Sequence, residues 1–91
     1  MSVTVKEAYD AAKKILGDDL IVYRCIELEN YWIFPYAWKD GTNIMMPPIQ
    51  VTKNGICDLW NKQFSDIFEE SEWLDEHGKD IPIEKLEKMS K

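Results

Sequence analysis

Residues 20–38 constrain the fold more than any other part of the chain. Leu20 to Leu28 and Tyr31 to Trp38 are two runs dense in β-branched and aromatic side chains, separated only by Glu29-Asn30. Such runs read as paired strands, because branched and flat side chains pack well on a pleated surface. With Glu29 and Asn30 as the loop, Leu28 stands opposite Tyr31, Ile26 opposite Ile33, Cys25 opposite Phe34 and Tyr23 opposite Tyr36. Side chains alternate across a strand, so one face carries Ile21, Tyr23, Cys25, Trp32, Phe34, Tyr36 and Trp38. The other face carries Val22, Ile26, Leu28 and Ile33 and is apolar too. A sheet with two apolar faces has to be covered on both, by the rest of the chain or by a partner.

One cover is legible at the N-terminus. Thr4-Val5-Lys6-Glu7 is a capping box, in which the Thr4 hydroxyl accepts from the Glu7 amide and the Glu7 carboxylate reaches back to Thr4. Val5, Ala8, Ala11, Ala12, Ile15 and Leu16 follow at helical spacing, and Gly17 suits a left-handed C-terminal residue. The spacing predicts a helix over Val5–Leu16, packed on the aromatic face. Lys39-Asp40-Gly41 reads as a turn, and Pro47-Pro48 keeps Thr42 to Pro48 out of a central strand.

Ile49–Lys53 and Ile56–Trp60 form a second hairpin around Asn54-Gly55. A two-residue turn would mix polar and apolar side chains on each face. A three-residue loop with Gly55 in a left-handed bulge pairs Val51 with Cys57, Ile49 with Leu59 and Gln50 with Asp58, which segregates them. From Gln63 onward, Phe64, Ile67, Phe68, Ser71 and Leu74 repeat at helical spacing, with Trp73 on the flank and Gly78 closing the helix. Asp80 and Pro82 begin a short tail helix with Ile83, Leu86 and Met89 on one side, the segment expected to fray first. Helix, hairpin, hairpin and helix in this order predict one α+β domain over residues 1–91. Its core is an antiparallel sheet of about four strands from two hairpins, with a C-terminal acidic helix and a short tail helix.

Charge and chemistry narrow the function classes. The 91 residues carry a net charge of −6, against the basic face of a nucleic-acid binder, so no nucleic-acid partner is expected. Hydrophobic residues make up 45% of the chain, too many for a disordered tail. No apolar run approaches the roughly 20 residues of a membrane span, and Met1 to Glu7 contain no apolar signal core, so a cytoplasmic protein is expected. Cys25 and Cys57 lie on strand faces where thiols pack as small hydrophobes. The single histidine, His77, sits at a helix end, where it caps carbonyls. No metal-ligand spacing, P-loop or dinucleotide fingerprint occurs, so we expect no enzyme, no catalytic residues, no metal and no cofactor.

The excess charge is concentrated. Residues 1–62 hold eight acids and seven bases, whereas residues 63–91 hold nine acids and four bases. The second helix carries Asp66, Glu69, Glu70, Glu72, Asp75 and Glu76, with no base between Gln63 and His77. Acids late in a helix oppose its dipole, and Glu72 and Glu76 repel at i, i+4. Two readings stand: a solvated face that keeps a small protein soluble, or a docking surface for a basic partner. On the second reading these six acids, with Tyr31 on the opposite sheet face from the other aromatics, are the candidate partner-binding residues. Met45 and Met46 are adaptable apolar groups that suit either a core edge or a contact surface.

Trp32-Ile33-Phe34-Pro35-Tyr36, a spacer, then Pro48-Ile49-Gln50-Val51 and Thr52-Lys53-Asn54-Gly55, all behind an amphipathic helix, resemble immunity protein family 35. The resemblance covers about residues 4–60, and Met45-Met46-Pro47 replaces the Gly-Asn often found before the proline motif. It implies a non-catalytic α+β protein of bacteria that binds and neutralises a cognate toxin inside the producing cell. The expected partner is then a basic toxin domain. The alternative expectation is a small self-associating housekeeping or stress-related domain, a homodimer joined through Val22, Ile26, Leu28 and Ile33.

Overall fold

The computed structural model describes residues 2–42 and 47–88. Met45, Met46 and Met89 lie outside them. The chain runs α1 (Val5–Leu16), β1 (Leu20–Val22), β2 (Cys25–Glu27), β3 (Tyr31–Phe34), β4 (Tyr36–Trp38), β5 (Ile49–Thr52), β6 (Cys57–Leu59), α2 (Ile67–His77), β7 (Lys79–Ile81) and α3 (Ile83–Lys88). This is the expected α+β class. Five strands form one antiparallel sheet in the order β6-β5-β3-β2-β7, and β1 and β4 form a separate two-stranded ribbon.

Capping and turn chemistry set the element ends, with one departure at Gly17. The Thr4–Glu7 capping box is formed in both directions, at 3.0 and 3.1 Å. Gly17 ends α1 with φ 78° and ψ −162°, which is not the left-handed helical conformation but an extended, positive-φ region open essentially to glycine alone. The second hairpin has the segregated register, with Val51, Gln50 and Ile49 opposite Cys57, Asp58 and Leu59. Gly55 has φ 96°, as a bulged turn requires.

The first hairpin corrects the expected register. Ile26 pairs with Ile33 and Glu27 with Trp32, but Tyr36 pairs with Val22 and not with Tyr23. Three residues, Tyr23 to Cys25, therefore stand against two, Phe34 and Pro35. The cause is Pro35, which has no N–H to continue the ladder, and the chain opposite accommodates it with one extra residue. The bulge reverses the alternation beyond it. Val22 joins the buried aromatic face, whereas Ile21 and Tyr23 are exposed, as is Trp38 at the end of the ribbon.

Both apolar faces are covered from within the chain. On one, Ala8, Tyr9 and Ala12 of α1 pack with Val22, Cys25, Trp32, Phe34, Tyr36, Ile49, Val51 and Leu86. On the other, Ile26, Leu28 and Ile33 pack under Leu74 of α2 and Trp60, with Tyr31, Phe64 and Trp73 at the margin. The described part of the tail helix, Ile83–Lys88, is docked on the domain. Leu86 is fully buried in the α1 layer, and the Tyr9 hydroxyl donates to Glu87 at 2.6 Å. Ahead of it, Lys79 to Ile81 add an edge strand beside β2, a fifth strand where about four were expected.

Candidate functional site

The second helix is shorter than its apolar spacing suggests. Asp66 accepts from the Glu69 amide at 2.8 Å, so it is the N-cap, and Gln63 to Ser65 lie outside the helix. The cap wins because a carboxylate oxygen satisfies an amide that otherwise has no partner in the first turn. At the other end the Gly78 amide donates to the Leu74 carbonyl at 2.8 Å. Gly78 has φ −113°, so the glycine answers to space and not to backbone handedness: a Cβ here would lie 2.2 Å from Cγ2 of Ile26.

The six acids of the candidate surface separate into distinct roles. Asp66 is spent on the cap. Asp75 accepts from Arg24 at 2.5 Å, and the same guanidinium grips Asp80 through two further bonds of 2.8 and 3.1 Å. Arg24 lies in the bulge, so this fork ties the bulge to the end of α2 and to β7, and both carboxylates raise the pKa of its guanidinium. Glu70 is half-buried, and loss of water lifts its carboxyl above its usual range. Glu69, Glu72 and Glu76 remain, exposed and without a basic partner among the described residues. Their spacing of three and four places them in a line along the outer ridge of α2.

Phe68 stands beside that ridge with 81% of its surface exposed. Expected inside the apolar stripe, it sits six residues before the buried Leu74, about 120° around the helix. It neighbours Glu72 at i, i+4 instead. An aromatic ring held in water among carboxylates has no packing role within the described chain.

Tyr31 lies on the other flank of α2. It lines an open pocket of about 270 Å³ with Leu28, Glu29, Asn30, Trp73 and His77. Trp73 is fixed by its neighbours: Trp60 and Phe64 contact it at centroid distances of 5.8 and 6.0 Å, and His77 stacks on it at 4.3 Å. Nδ1 of His77 lies 2.9 Å from the Trp73 carbonyl oxygen. Lys62 already sets its ammonium 4.7 Å from the Trp73 ring centre, a cation–π contact. The structure thus brings Tyr31 and Trp73 to one pocket, with Glu69 and Glu76 one turn either side of Trp73 on α2. Phe68, Trp73, Glu29 and Asn30 were not among the sequence candidates.

The thiols lie elsewhere. Cys25 and Cys57 pack on the α1 side of the sheet and His77 on the α2 side. Burial and the charges of Glu27 and Asp80 push the Cys25 thiol up to about 12. The face offered for self-association is closed, since Val22, Ile26, Leu28 and Ile33 are all buried within the chain. No described helix is long and apolar enough to cross a membrane. No family model, curated protein or solved structure matches the chain.

Proposed function

We propose that this chain is a non-catalytic protein-binding protein of the immunity type, which binds a basic toxin domain through the outer side of α2 and neutralises it in the cytoplasm. The observation that carries the reading is Phe68, exposed beside the row of Glu69, Glu72 and Glu76. An aromatic anchor inside a charged rim is the composition of an interface hot spot. This row of acids, which forms no ion pair among the described residues, supplies long-range attraction for a positively charged partner. The resemblance of residues 4–60 to immunity protein family 35 supports the toxin as the class of partner.

Co-expression tests it. A toxin domain encoded beside this chain, produced inside a bacterial host, should stop growth. The intact chain should restore growth, and a variant with Glu69, Glu72 and Glu76 replaced by lysine should not. Failure of the intact chain to protect against the neighbouring toxin would refute the immunity reading.

A further inference from the structure

We infer that the pocket beside α2 receives an arginine side chain of the protein partner, an assignment that rests on the protein-binding reading above. The pocket has flat walls and hydrogen-bond acceptors. Tyr31, Trp73 and His77 contribute rings, and Glu29 and Asn30 contribute a carboxylate and an amide. The tautomer of His77 follows from its partner. The Trp73 carbonyl oxygen can only accept, so Nδ1 bears the proton, and in the neutral ring Nε2 is a lone-pair acceptor. No described residue engages Nε2, and Glu29 forms no ion pair among the described residues.

Rings with negative faces and several unengaged acceptors together call for a cation with many donors. A guanidinium matches best: it is planar, stacks on rings, and points five N–H groups outward in one plane. A lysine ammonium satisfies the charge but not the flat walls. Glu69 and Glu76, one turn either side of Trp73 on α2, disfavour an anionic occupant.

The test uses the full chain, followed by two-dimensional NMR and titrated with N-acetyl-arginine methylamide, its lysine counterpart and the neutral citrulline counterpart. The arginine probe should give saturable shifts at the Trp73 indole, the His77 ring and Tyr31. Lysine should bind more weakly and citrulline should give no saturable shift. Because Glu29 is exposed, Glu29→Gln leaves the fold intact and should weaken the arginine probe roughly tenfold, the loss of one charge-assisted hydrogen bond. Equal binding of citrulline, an undiminished Glu29→Gln variant, or shifts confined to other residues would overturn the assignment. The two readings fail separately. Toxin neutralisation without arginine shifts refutes the pocket alone, and arginine shifts without neutralisation refute the immunity reading alone.

Discussion

At Glu70 a carboxylate has been drawn partly out of water beside Leu74, and its pKa rises in consequence. For an acid whose pKa is higher in the folded state, stability is fully present below the unfolded value, about 4.3, and is lost as pH rises through the folded value. Glu70→Gln is therefore expected to raise the melting temperature at neutral pH and to leave it unchanged near pH 3, read from thermal melts at both. The two thiols separate in the same way. Cys25 is sealed in the core with its pKa near 12, whereas Cys57, on edge strand β6, is half-covered. A thiol-disulfide reagent should titrate one thiol in the native protein and two in denaturant; two native thiols would contradict the packing of Cys25. The sequence reading placed both cysteines on buried faces, which holds fully only for Cys25 on the interior strand β2, because an edge strand lacks a neighbour on one side. Phe68 was misplaced for a related reason. Helical spacing assigns a stripe, but contact with the sheet selects which third of that stripe is buried.

Among the elements, the joint between α2 and β7 is tight. Gly78 passes so close to Ile26 that even a methyl group collides with it. Gly78→Ala should cost about 1–3 kcal/mol, the usual penalty of overpacking, in a denaturant melt. Leu86→Ala should cost about 2–5 kcal/mol, because Leu86 is fully buried under α1; a loss well under 1 kcal/mol would show that α3 does not dock. Helix α1, the glycine turn and the second hairpin were legible because each has a local cause: a capping box, a positive-φ glycine, a polar–apolar register. The bulge was not read: the expected register paired Tyr23 with Tyr36 straight through Pro35, although a proline cannot continue a ladder. Strand β7 was not legible. Lys79-Asp80-Ile81 is three residues long with two charges, and only its pairing with β2 makes it a strand.

The molecule as a whole answers the demand set by its central hairpin. Two apolar faces require two covers, and α1 with α3 on one side and α2 with Trp60 on the other supply them. That assignment was not written in any single segment, because a cover is chosen by long-range packing. Its consequence for function is direct. With the interior committed to packing, α2 presents outward three glutamates that form no ion pair among the described residues, an exposed phenylalanine and one wall of an open pocket, while Ile15, Tyr23, Trp38 and Ile56 are exposed elsewhere on the surface. An interface of standard size takes about 800 Å² from each partner, roughly one-eighth of the 6248 Å² of surface this chain exposes. The decisive measurement is the association rate with the toxin domain proposed as partner, as a function of ionic strength, for the wild type and for the Glu69→Lys/Glu72→Lys/Glu76→Lys variant. The wild-type rate should fall steeply with added salt, and the variant should associate at least about tenfold more slowly at low salt with a flattened dependence. Superimposable curves for the two proteins would contradict the assignment of α2 as the docking surface.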